Sequence, residues 1–159
     1  VIESRRSLVL HWSLTGHSAR LARVVADALG ASAEPAHIPA YRGALGKLRM
    51  AADFRSRRTP STEPPLQSVS DTTSVTLCGP AWGGRPAPAM RALLGLDDLP
   101  ATVALALTCW DEGKAVDAVR HAEAVLGRPF AATIVLENRQ EDTTIEAGRV
   151  AAFVAAQTR

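Results

Sequence analysis

Along the chain, short and nearly continuous apolar runs alternate with longer stretches whose apolar residues recur at helical spacing. Residues 7–12 form the first run, a short strand that breaks abruptly into the polar segment Ser13-Leu14-Thr15-Gly16-His17-Ser18. A helix opens at Ser18. Leu21, Val24, Val25, Ala28 and Leu29 fall on one face, and Gly30 stands where a left-handed C-terminal cap belongs. Residues 31–38 read as a second strand, placed at an edge because Pro35 interrupts it. Residues 44–57 have helical composition, with Leu45, Leu48, Ala52 and Phe54 available for one face.

The segment 58–73 is rich in proline, serine and threonine and reads as an irregular connection, of a length that usually accompanies function or mobility. A third strand over 74–78 ends in GPAWGGRPAP, and a helix over 87–94 carries Met90, Leu93 and Leu94. Residues 102–108 form a continuous apolar strand, as expected in a parallel sheet covered on both faces. A helix over 114–126 offers Val116, Val119 and Leu126, a fifth strand covers 131–136, and a closing helix over 143–157 carries Ile145, Ala152, Phe153 and Ala156.

Strands alternating with helices at this spacing imply an α/β fold, a doubly wound sheet of about five parallel strands in a single domain over 1–159. Ligands of such sheets bind beyond the carboxyl ends of the strands, where strand order reverses. The chemistry is therefore expected in loops 13–18, 79–88 and 109–113.

Composition narrows the function classes. Of 159 residues, 47% are apolar and 21% charged, the balance of a soluble globular chain. No apolar stretch approaches the roughly 20 residues of a membrane span. The run after Arg5 and Arg6 ends without a small-residue cleavage site, which argues against a secretion signal. Cys78 and Cys109 make no disulfide framework, so a reducing cytoplasm is expected. As ends of neighbouring strands they are conceivable as a redox pair, but inert buried thiols are the plainer reading. Lys47, Arg49, Arg55, Arg57 and Arg58 form a basic cluster; it carries no nucleic-acid module signature, and a solvated face accounts for it. His11, His37 and His121 lack metal-ligand spacing, and no G-x-S-x-G elbow follows a strand, so neither a metal centre nor a serine hydrolase is expected.

The first loop offers three hydroxyls and a run of backbone N–H groups at a helix start, where the dipole favours an anion such as a phosphate. It lacks the second glycine and the Lys-Ser/Thr pair of a nucleotide P-loop, and the three glycines of a dinucleotide fingerprint. A Ser/Thr-rich helix cap is the alternative reading of the same residues.

Strand, S-x-T-G-x-S, helix resembles the phosphate loop of the flavodoxins. The segment CGPAWGGRPAPAMRALL is similar to their strand-3 loop, and YRGALGKLRMAADF and GRVAAFVA resemble segments of short bacterial flavodoxin-family proteins. The resemblance covers about residues 7–156. It implies a flavodoxin-like three-layer doubly wound sandwich with a five-stranded parallel sheet in the order 2-1-3-4-5, a strand order for which flavodoxin is itself the reference example. It further implies FMN as cofactor. Ser13, Leu14, Thr15, Gly16, His17 and Ser18 would hold its phosphate. Pro80, Ala81, Trp82, Gly83 and Gly84 would line the isoalloxazine ring, with Trp82 stacking and the paired glycines letting a peptide group reorient toward flavin N5. A hydrophobic anchor over the sheet end is the other reading of Trp82.

The third loop departs from the related T-C-G-G-x-G pattern. Thr108, Cys109, Trp110 and Asp111 stand there, with Trp110 either a second stacking face or a source of crowding. Asp111 and Glu112 are expected to place negative charge near the ring and lower its potential, unless they are merely solvated. Flavodoxins are typically acidic, and the pI of about 8.9 departs from that pattern. Two functions from different classes remain open. One is an FMN-binding electron carrier or small FMN-dependent oxidoreductase, served by a redox partner protein or by NAD(P)H and a quinone, for which Arg85 and the 47–58 stretch offer charge. The other is a flavodoxin-fold module with weak or no FMN binding, serving in protein interaction or anion sensing. Neither nucleic acid nor membrane is expected as a partner.

Overall fold

The computed structural model describes residues 6–65 and 69–158; Arg5 and the 66–68 part of the proline-rich connection lie outside the described residues. Five parallel strands make the sheet: β1 (Ser7–His11), β2 (Ser32–Pro35), β3 (Ser74–Trp82) and, after a two-residue strand β4 (Arg85–Pro86), β5 (Thr102–Cys109) and β6 (Thr133–Glu137). Their order is β2-β1-β3-β5-β6, and β4 pairs antiparallel with β3. Counting the parallel strands alone, this is the expected 2-1-3-4-5, and chain order reverses between β1 and β3.

Helices cover both faces: α1 (His17–Leu29), α2 (Gly46–Ser56), α3 (Pro88–Leu94), α4 (Glu112–Leu126) and α5 (Thr144–Gln157). The two cores follow from the period-two alternation of strand side chains. Leu8, Leu10, Leu77, Leu105 and Leu107 point to one face with Met50, Met90 and Leu93. Val9, Cys78, Ala104 and Ala106 point to the other, against Leu21, Val25 and Phe153. Each fully buried leucine contributes about 2 kcal/mol. The alanines of β5 leave room for α1 and α5 to lie close to the sheet.

Helix faces differ from the sequence pattern in four helices. In α1 the buried stripe is Leu21, Ala22, Val25 and Ala26, and Ala28 is exposed. In α2, Met50 is buried while Leu45 and Leu48 are 63% and 68% exposed. In α4 the packed face is Ala115, Ala118 and Ala122, while Val116 is 56% exposed. Small residues there let α4 approach the sheet, so volume rather than hydrophobicity selects the face. In α5, Val150 and Phe153 are buried and Ile145 is exposed. No helix among the described residues is long and apolar enough to cross a membrane.

Candidate functional site at the carboxyl end of the sheet

Loop 13–18 follows β1 where the chain must turn from strand to helix. The Trp12 N–H donates to the Cys78 carbonyl (3.0 Å), carrying the β1–β3 pairing one residue past β1. Gly16 then takes a left-handed conformation (φ 99°) at the N-terminus of α1, and its N–H donates to Ser13 Oγ at 3.0 Å. No side chain caps α1, and its first turn holds no acidic residue. The first-turn N–H groups, which lack intrahelical acceptors, are thus left facing the loop.

The three hydroxyls divide their work. Ser13 closes the loop on itself, Thr15 is exposed at its tip, and the buried Ser18 shares a 2.6 Å hydrogen bond with Thr108 of β5. The Ser18 carbonyl also accepts from Cys78 Sγ at 3.3 Å. On its other side the helix start is tied to the approach to α5. His17 Nδ1–H donates to Glu141 Oε1 at 2.6 Å, and Arg20 grips both Glu146 oxygens at 2.5 and 2.8 Å while reaching Asp142 at 2.5 Å. The Arg20 hydrogen bonds hold the buried Glu146 carboxyl below its ordinary range, and the Asp142 N–H adds to the effect. The helix start is therefore a preorganised element.

In the second loop β3 does not end at Cys78, as the pattern suggested, but runs on to Trp82. Gly83 and Gly84 both adopt positive φ (52° and 78°), the two-residue turn that matches strand twist, and the chain returns with Trp82 opposite Arg85 and Ala81 opposite Pro86. The Trp82 ring meets Trp12 edge-on at 6.0 Å and Phe54 at 5.7 Å, and Trp12 in turn meets Tyr41 at 6.2 Å. These edge contacts hold the indole beyond what area burial alone would do.

The third loop is the open side. Thr108 and Cys109 are buried, but Trp110 is 84% exposed. Asp111 caps α4, accepting from the Gly113 N–H at 2.9 Å. Glu112 is drawn elsewhere: its N–H donates to Glu137 and its carboxylate pairs with Arg149 at 2.9 Å. The expected pair of free negative charges is thus reduced to Asp111. Lys114, which the sequence reading passed over, lines the same cleft. It sits in the first turn of the helix after the loop, and that position was the available signal.

Together these segments enclose a cleft of about 260 Å³, walled by Trp82, Gly83 and Gly84 on one side and by Cys109, Trp110 and Asp111 on the other, with Lys114 and Ala115 completing it. Residues 13–18 do not line that cleft, but the Ser18–Thr108 bond fixes them to the strand that carries its third loop. Pro80 sits opposite Thr108 in the sheet. Cys78 and Cys109 are free and belong to the two opposite cores, so they do not form a redox pair. Burial raises both thiols, Cys109 to about 11 with help from the charges of Glu137 and Glu112. Among the described residues no group of acidic, histidine and cysteine side chains could hold a metal ion.

No family model matches the chain, and no curated protein matches it. Solved structures do. A flavoprotein in complex with FMN from Lactobacillus acidophilus aligns with a TM-score of 0.67 at 16% identity, over 87% of this chain and 96% of that one. A short-chain flavodoxin associated with a bacterial microcompartment aligns at 0.58 and 14% identity, over 96% and 97%. An NAD(P)H:quinone oxidoreductase from Methanothermobacter marburgensis aligns at 0.54 and 9% identity, over 97% and 95%. Strand order, layering and these alignments agree: the chain has the flavodoxin-like fold.

Proposed function

We propose that this chain binds FMN and acts in redox chemistry, as an electron carrier or as a small FMN-dependent oxidoreductase. The observation that carries this reading is a juxtaposition at the switch point of the sheet. An uncapped helix start with the sequence S-x-T-G-x-S stands beside a cleft walled by two tryptophans. The flavoprotein of like fold that holds FMN supports the choice of cofactor, and the quinone oxidoreductase of like fold supports the enzymatic branch. We read the whole chain, 1–159, as one domain working in the cytoplasm.

The residues present fit the group. The first-turn N–H groups of α1 with the Thr15 hydroxyl would hold the phosphate, Ser13 and Gly16 shaping the loop and Leu14, His17 and Ser18 supplying backbone. Ser18 and Thr108 would act by positioning that loop, since their hydroxyls bond each other. Trp82 and Trp110 would bracket the ring plane, with Pro80, Ala81, Gly83, Gly84 and Cys109 along its edge. Bound FMN would supply one- and two-electron transfer; the chain supplies its orientation and electrostatics. Here the Asp111 carboxylate is opposed by Lys114 and by the positive end of α4, so the potential is set by a balance and not by acidic residues alone.

The test compares FMN with riboflavin on protein stripped of flavin, at low and high phosphate. Binding of FMN that exceeds riboflavin binding by at least about tenfold, the equivalent of 1.4 kcal/mol, and that phosphate weakens, supports a phosphate held at α1. Equal binding of the two flavins contradicts it. Oxidation of NADPH with added quinone by the loaded protein distinguishes the enzyme from the carrier.

A further inference from the structure

A second pocket, of about 250 Å³, shares no lining residue with the tryptophan cleft. It lies where β4, the end of α2, α3 and the second half of α4 meet. Its apolar surface comes from Phe54, Pro86 and Val125, and its charge from Arg57, Arg85 and Arg91. No carboxylate lines it, and none of the three guanidinium groups has a carboxylate partner among the described residues.

Each arginine is placed by something other than a counter-charge. Arg85 follows the glycine turn and lays its guanidinium over the Phe54 ring at 4.4 Å. Arg91 donates to the Asp53, Arg57 and Arg58 carbonyls (3.2, 2.7 and 2.6 Å) at the end of α2, while its buried Nε has no partner. Arg57 terminates α2 in a left-handed conformation (φ 59°), a position glycine or asparagine would take with less strain. His121 keeps Nε2 available, because Nδ1–H donates to the Asp117 carbonyl at 2.7 Å. Three cations share one pocket lining without a carboxylate in it: burial first, then the charge of Arg85, depress Arg91, and the Asp53 carboxylate, held by the Tyr41 hydroxyl at 2.9 Å, offsets this only in part.

We propose that this pocket binds a small organic anion: an aromatic or alicyclic system of one or two fused rings bearing a single carboxylate. The anion would answer the three arginines, and the ring would cover Phe54, Pro86 and Val125. A bare inorganic anion leaves the apolar surface wet, and a neutral ring leaves the cations unanswered. The volume falls below the range typical of drug-sized ligands, which excludes an entire dinucleotide from the pocket itself. The assignment does not depend on flavin binding.

The test titrates the whole chain with 1-naphthoate, with the neutral 1-naphthylmethanol and with sulfate, by calorimetry. Naphthoate is expected to bind saturably and at least about tenfold more tightly than the alcohol, the range of a hydrogen bond to a charged group. Added salt should weaken it, while sulfate alone gives no comparable heat. Arg57→Gly relaxes the left-handed residue and keeps the carbonyl that Arg91 uses. Val125→Glu adds a counter-charge at an exposed position. Both variants should keep the thermal midpoint of the parent and lose about tenfold in naphthoate affinity. The proposal is overturned by equal binding of acid and alcohol, by unchanged affinity in both variants, or by no binding at millimolar naphthoate. Displacement by FMN would place the probe in the tryptophan cleft, and displacement by NADPH would assign the pocket to a dinucleotide phosphate; either also overturns it.

Discussion

Trp82 and Trp110 face one cleft from opposite kinds of surroundings. Trp82 stands at the end of the longest strand, bound edge-on to Trp12 and Phe54 and returned by a tight glycine turn. Trp110 stands on a loop with 84% of its surface in solvent. One wall is part of the core and the other is free to respond to what enters. The same division separates the first loop, whose helix start is tied down by buried or half-buried bonds, from the third. In the proposed function, a site built this way would hold an anion and one face of a plate in fixed geometry and leave the other face adjustable.

The contrast can be broken from its rigid side first. Trp82→Ala should lower stability by about 3 kcal/mol, the lower end for removing a large aromatic because the ring is half-buried; urea unfolding reads it. A loss below 1 kcal/mol would mean that the aromatic group is not a unit. Ser18→Ala leaves the Thr108 hydroxyl buried without its partner and should cost about 1–3 kcal/mol, with weakened FMN binding. Gly84→Ala forces a side chain into a left-handed turn and should cost about 1 kcal/mol, although the added Cβ meets nothing nearer than 3.5 Å. At the small end, Trp110→Ala should move stability by no more than about 0.5 kcal/mol. It should weaken FMN two- to tenfold, the range of one aromatic stacking contact.

Acid sharpens the contrast further. The Glu146 carboxyl is depressed from its ordinary value of 4.5 by its hydrogen bonds to Arg20. Its contribution is complete above pH 4.5 and is lost as pH falls toward the lower folded value. Stability should therefore drop below pH 4.5, and Glu146→Gln should flatten that limb while lowering stability at pH 7.

Much of this was legible in the chain, for physical reasons that also mark the gaps. Continuous apolar runs such as 102–108 announce buried parallel strands, and S-x-T-G-x-S announces a strand-to-helix turn that leaves amides open. What stayed hidden depends on distant partners. Ser18 reads as a phosphate donor in the sequence, and its hydrogen bond to Thr108, 90 positions away, is visible only in the structure. GPAWGGRP read as an open loop because the proline and glycines mask a hairpin whose register is set by positive φ at both glycines. In α2 and α4, hydrophobicity alone places leucine and valine inside, whereas Leu45, Leu48 and Val116 are exposed and the close approach of α4 to the sheet selects alanine. Glu112 looked like a free acid beside the ring, yet Arg149, far along the chain, neutralises it.

The most direct test of the central claim is a titration of flavin-free protein with FMN, following flavin and tryptophan fluorescence together. The account predicts saturable one-to-one binding, at micromolar Kd or tighter, with both signals quenched as the ring enters between Trp82 and Trp110. No binding at tens of micromolar FMN, an affinity weaker than about −6 kcal/mol, would contradict it and leave the fold as an interaction module.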